Sequence, residues 1–150
     1  MPSRTASAVD VTLLPELADE LMRIGRRRPG FVAGTELDAS AYKLLWILSD
    51  GRARTLKELA DELDLELSTI NRQVNGAVRA GLLERFAVPD HPSRPVRPTP
   101  EGARLYEHDS AVRAAHLSAI LDEMGPGAAQ EFIRGLRAYN DAYDRTVPRK

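Results

Sequence analysis

The chain has 150 residues, 43% of them hydrophobic and 29% charged, with a formal net charge of -1. That size reads as one domain with room for a real core, and the near-neutral charge argues against indiscriminate coating of nucleic acid. The absence of cysteine excludes disulfides, thiolate metal sites and thiol-based oxidant sensing.

No stretch approaches the ~18 apolar residues of a membrane span. Residues 1–10 also lack the charged-then-apolar form of a signal peptide, so a cytoplasmic protein is expected. Val11 to Arg28 should form a helix carrying Leu13, Leu14, Leu17, Leu21 and Ile24, stopped by Pro29-Gly30. Arg23, Arg26, Arg27 and Arg28 cluster at its end, where cations complement helix carbonyls; that reading outweighs contact with a polyanion. Asp38 or Ser40 caps the next helix, which holds Leu44, Leu45, Trp46 and Leu48 and ends before Gly51.

Thr55 and Glu58 form a T-x-x-E capping box, so a third helix starts there. Its Leu56, Leu59, Ala60 and Leu63 recur at the spacing of one buried side, leaving Lys57, Asp61, Glu62 and Asp64 to water. The fourth helix is more informative. At ~100° per residue, Ser68, Arg72, Asn75 and Arg79 share a stripe with Asn71 beside it, while Leu67, Ile70, Val74, Ala77 and Val78 fill the opposite side. Short hydroxyl and amide side chains with two arginines suit base edges and phosphates: Asn can bond adenine through two atoms, and Arg can bond guanine or straddle a phosphate. A merely solvated helix face is the bland alternative. Gly81 supplies a left-handed stop, with Leu82 closing over the helix end. Gly76 costs roughly 1 kcal/mol against Ala in mid-helix, which implies close approach by a helix or phosphate, or simple tolerance.

Leu82 to Val88 and Val96 to Thr99 are expected to be two strands, separated by a loop containing Pro89, Pro92 and Pro95. Proline cannot donate to a β ladder, so the ribbon should be short, stiff and edge-like, displaying His91, Arg94 and Arg97 near its tip. Such a tip either follows a DNA backbone or minor groove, where negative potential attracts Arg, or is simply a charged, soluble hairpin end. Thr99 then caps a helix with Pro100 at its first position. That helix carries Leu105, Val112, Leu117, Ile120, Leu121 and Met124 until Gly125-Pro126-Gly127 breaks it. A last helix from Ala128 to Tyr143 displays Phe132, Ile133, Leu136, Tyr139 and Tyr143. The fold class expected is mainly α with a small β-hairpin wing: a winged helix-turn-helix between N- and C-terminal helices.

The run Leu59-Ala60, Leu65, Ser68-Thr69-Ile70-Asn71-Arg72, Gly81-Leu82-Leu83-Glu84-Arg85, Asp90, Arg94 and Thr99-Pro100-Glu101-Gly102 resembles the MarR family of bacterial transcriptional regulators. The resemblance implies one domain over residues 1–150, with a DNA-binding unit at 38–102 and helical dimerisation regions at 11–29 and 103–146. It implies double-stranded DNA with a palindromic operator as partner. Ser68, Thr69, Asn71, Arg72 and Asn75 would contact DNA from the recognition helix, and Arg94 would do so from the wing, with Arg97 added from the ribbon's own charge. Asp90 would brace the wing through an Arg. Two residues depart from the pattern: Pro98 stands where a Leu is usual, and Glu66 brings a carboxylate close to Asp64 at the helix cap.

The terminal helices bury their apolar stripes either on the chain's own core or in a homodimer; the dimer is favoured because two-fold pairs are the commonest assembly. Between Leu67 and Arg97 five Arg face only Glu84 and Asp90, so the basic charge is local and binding should fade steeply with salt. Phe31, Tyr42, Trp46 and Tyr106 are the aromatic residues able to line a pocket for a small aromatic ligand, although ordinary core packing accounts for them more simply. No cofactor or metal is expected. Glu107, His108, Asp109 and His116 share a helix, but the two His lie two turns apart where metal-binding pairs are i, i+4, and no nucleophile is paired with a base. The competing reading is a winged-helix module that binds protein instead of DNA, suggested by the acidic string Asp61, Glu62, Asp64 and Glu66.

Overall fold

The computed structural model describes residues 10–27 and 32–148. Contacts divide the chain into two units at residues 31 and 32. In the first lies α1 (Leu13–Arg26), shorter than expected by two residues at each end, with no buried residue and with Leu13, Leu14, Leu17, Leu21 and Ile24 all exposed. The expected stop at Pro29-Gly30, and Arg28 and Phe31 beside it, fall outside the described residues.

In the second unit the order is α2 (Ala39–Leu48), α3 (Leu56–Leu63), α4 (Leu67–Arg79), β1 (Leu83–Arg85), β2 (Val96–Pro98), α5 (Pro100–Met124) and α6 (Pro126–Thr146). This is the winged helix-turn-helix that the spacing predicts. Leu44, Leu45 and Leu48 of α2, Leu59 of α3, Ile70 and Val74 of α4, Leu83 and Val96 form its core, each essentially without solvent contact. Burial of each such side chain is worth roughly 1.5–3 kcal/mol.

The helix ends follow local chemistry. Asp38, not Ser40, caps α2, its carboxylate accepting the Ala41 amide at 2.8 Å. The Thr55–Glu58 box closes in both directions, with the Glu58 amide on Thr55 Oγ1 at 3.3 Å and the Thr55 amide on Glu58 Oε2 at 2.7 Å. Gly81 takes φ +75° after α4, and the Leu82 amide reaches back to the Ala77 carbonyl at 2.9 Å, giving the left-handed stop. Thr99 accepts the Gly102 amide at 3.0 Å with Pro100 at N1.

Three expectations change. The strands are three residues each, with register Leu83↔Pro98, Glu84↔Arg97 and Arg85↔Val96, because the prolines starve the ladder of donors beyond them. The ribbon is not edge-like on its β2 side, where the Val96 amide and carbonyl both bond Arg54. The break between α5 and α6 is Gly125 alone, at φ +80°, since Pro126 and Gly127 already belong to α6; Pro at N1 lacks only an amide that no helical carbonyl would take.

Arg54, in the loop before α3, is the structural hub of the unit. It is 6% exposed and donates to both oxygens of Asp50 (2.8 and 2.7 Å) and to Glu62 at 2.8 Å. One guanidinium therefore joins the end of α2, the back of α3 and, through its backbone, the wing. Those hydrogen bonds hold the Asp50 carboxyl well below the usual carboxylate range and raise the Arg54 guanidinium. Asp109 of α5 does the same for the lead-in to α2. Fully buried, it accepts the Glu36 amide at 2.9 Å and the Leu37 amide at 2.8 Å, one on each oxygen. The polar group of α5 is thus structural, not a reactive pair with His108, whose Nε2 lies 3.1 Å from the Gly34 carbonyl oxygen.

Candidate nucleic-acid interface

α4 seats on α2 and α3 through Ile70, Val74 and Ala77, which are buried. By helical geometry the opposite side must face outward, and it does: Ser68, Asn71, Arg72 and Arg79 are exposed, with Thr69 and Asn75 half-buried at its margins. Leu67 departs from the expectation. Assigned to the buried side by spacing, it is 53% exposed and lines a groove with Leu56, Asp61, Arg85 and Arg94. It is the first residue of α4 and faces the wing instead of the core. Among the described residues Gly76 makes no close approach, since a Cβ built there meets nothing within 4 Å. Glu66, at the N-cap of α4, makes no side-chain cap bond and leaves the first amides of the helix uncapped.

The wing arginines divide by what they touch. Arg94 is exposed and, among the described residues, has no hydrogen bond or ion pair; Arg72 and Arg79 share that condition. Arg97 is not near the tip. It sits in β2, donates to Glu84 of β1 at 2.6 Å, and stacks 4.7 Å from the Phe86 ring centroid. The cross-strand register put those charges opposite one another. Asp90 adopts φ +60° in the loop and pairs with no arginine among the described residues. His91 holds that turn instead: its amide bonds the Val88 carbonyl at 3.2 Å and its Nδ1 lies 2.5 Å from Ser93 Oγ.

Arg85, cited only as part of a motif by the sequence reading, stands between wing and helix. Its Nη2 donates to Asn75 Oδ1 at 2.6 Å and to Asn71 Oδ1 at 3.5 Å. Arg54 is not singled out by the sequence reading, and Asp109 is named there only as one of four polar groups on its helix, not as the acceptor for the lead-in to α2. The only sequence signals for them are an Arg four residues after Asp50 and an Asp on an otherwise mixed helix, and both look like solvated charge.

Of the aromatic candidates, Tyr42 and Tyr106 come together, with ring centroids 5.4 Å apart. Arg113 lies over the Tyr42 ring at 4.1 Å, and the Tyr42 hydroxyl is 3.2 Å from Ser110 Oγ. Trp46 does not join them and is not core: it is 59% exposed, because Leu44, Leu45, Ile47 and Leu48 take the inward positions of α2.

No family model matches the chain and no curated protein matches it in sequence. Solved structures do. A MarR family protein from Bacillus stearothermophilus is similar at TM-score 0.66 and 24% identity, covering 87% of this chain and 90% of that one. The PcaV transcriptional regulator from Streptomyces coelicolor, solved with its natural ligand, gives 0.65 and 23%, covering 92% and 99%. ZitR from Lactococcus lactis, solved with DNA, gives 0.61 and 13%, covering 91% and 99%. The outward polar stripe of α4, the capped α3 behind it and the short ribbon after it thus belong to a chain with the winged-helix fold of MarR family transcriptional regulators.

Proposed function

We propose that this protein is a sequence-specific DNA-binding transcriptional regulator, acting as a homodimeric repressor. The observation that carries the reading is the outward stripe of α4, where Ser68, Asn71 and Arg72 are solvent-facing while the other side of the same helix is sealed into the core. Ser68, Thr69, Asn71 and Arg72 meet base edges and phosphates in the major groove, and Arg94 meets the flanking backbone. Arg97, bonded to Glu84, contributes field more than contact. The ZitR complex with DNA supports this use of the fold.

The unit at 38–102 reads DNA in this proposal, while 11–29 and 103–146 pair two chains. What supports pairing is the amount of apolar side chain left uncovered: Leu117 and Ile120 of α5, with Phe132, Ile133, Leu136 and Tyr143 of α6, are all more than 40% exposed. Two readers related by a two-fold axis, about one helical turn or ~34 Å apart, demand a palindromic operator. Tyr42, beneath Arg113 and beside Tyr106, offers an aromatic face to a small aromatic ligand, and PcaV, solved with its natural ligand, supports ligand binding by this fold. The ligand releases DNA only if it binds the free and DNA-bound states differently.

Selection of bound sequences from random duplexes tests the reading. A palindrome is expected, with binding that falls steeply as salt rises and that Arg72→Ala weakens. The acidic Asp61, Asp64 and Glu66 around exposed Leu65 and Leu67 favour one alternative, a module that docks protein. Absence of any salt-sensitive enrichment, with no effect of Arg72→Ala, would favour it.

A further inference from the structure

The contact between Arg85 and the two asparagines of α4 bears on which base the helix reads, and it deepens the DNA-binding reading on which it rests. A guanidinium has only donors, so the amide atoms turned toward it must be oxygens. Arg85 Nη2 lies 2.6 Å from Asn75 Oδ1, a short charge-assisted bond, and 3.5 Å from Asn71 Oδ1. Asn75 Nδ2 also points at Asn71 Oδ1, at 3.4 Å. Both ends of the Asn75 amide are therefore engaged inside the protein. Two donors converge on the single amide oxygen of Asn71 at 3.4 and 3.5 Å, long contacts that orient this oxygen toward Asn75 and Arg85 and turn the Nδ2 group away from them. The Asn71 Nδ2 group has no partner among the described residues, and Asn71 itself is exposed.

An asparagine pairs with adenine by accepting from N6 and donating to N7. With its oxygen turned toward Arg85 and Asn75, Asn71 presents its Nδ2 donors outward. We infer that Arg85 makes Asn71 a donor-type reader, selecting the adjacent O6 and N7 acceptors of guanine over adenine, and that Asn75 is a positioning residue with no base contact of its own. Because Arg85 ends β1 and pairs with Val96, the wing is joined to the specificity of the helix through this one side chain.

The test is duplex selection with the full-length protein, Asn71→Ala and Arg85→Met, the last keeping a stem without donors. Asn71→Ala identifies the operator position that loses its preference. The wild-type protein should prefer guanine there, and replacing that base by a deazaguanine lacking N7 should weaken binding about tenfold, as expected for one base contact. Arg85→Met, with its oxygen released, should accept adenine at that position. Adenine preference in the wild-type protein, indifference to the deaza base, or equal weakening of all sequences by Asn71→Ala overturns the inference while leaving a DNA-binding regulator standing. The deaza arm needs no variant, so a poorly folding Arg85→Met does not remove the test. No enrichment of any duplex overturns both.

Discussion

At single residues, geometry separates positions that look alike in the sequence. Gly76 and Gly102 both lie in helices, yet a Cβ at Gly76 meets open space while one at Gly102 would run into the Leu82 carbonyl oxygen. Gly102→Ala should therefore cost about 1–3 kcal/mol by overpacking, whereas Gly76→Ala should gain up to about 1 kcal/mol from helix propensity; thermal melts of the pair read the difference in sign. Asp38 carries a pH signature. Its carboxyl is held below the ordinary aspartate range by the Ala41 amide and then the Ser40 hydroxyl. A lowered folded-state value means the stabilisation is complete above the unfolded value and disappears as pH falls through the folded one. Asp38→Ala should lose about 1 kcal/mol at neutral pH, and its melting temperature should converge on the wild-type one in acid. A gap that stays constant would show that the carboxylate is not the source.

The helices and strands show how far local chemistry reaches. The starts of α3 and α5 and the end of α4 are written in Thr55 with Glu58, in Thr99 with Pro100, and in Gly81, because a cap needs only neighbours three or four residues away. The start of α4 is the exception, with Glu66 at the N-cap making no cap bond. Glu66→Ser should supply that acceptor and stabilise the protein by about 0.5–1 kcal/mol. It should also tighten binding to the selected duplex by removing a carboxylate from the helix end that favours anions. Melting and titration of this variant separate the two effects: a gain in stability with unchanged affinity would remove the α4 N-terminus from the interface. The strands were overextended in the sequence reading because hydrophobicity marks where a strand can run, while the bond inventory of Pro95 and Pro98 sets where it stops.

For the molecule as a whole, the uncovered apolar faces are the main unfinished account. α6 buries only Ala129 of its 21 residues while exposing Phe132, Ile133, Leu136, Tyr139 and Tyr143, an uncovered apolar stripe of the kind that marks an interaction surface. Leu136→Glu should shift sedimentation from dimer to monomer and weaken binding to a palindromic duplex much more than binding to a single half-site. An unchanged sedimentation coefficient, or equal weakening on both duplexes, would count against pairing through α6.

Periodicity and capping, read from the chain alone, settled which segments are helical, that a short ribbon follows α4, and which side of α4 is apolar, since each depends on residues within a turn or two of one another. Tertiary structure decided what the charges do. Arg54 gathers Asp50, Glu62 and the Val96 backbone, Asp109 holds two amides more than seventy positions away, and Arg97 meets Glu84 only through the strand register. A long polar side chain carries no local mark of its partner, because that partner is brought to it by the path of the whole chain. The same reason hid the hold of Arg85 on Asn71 and Asn75.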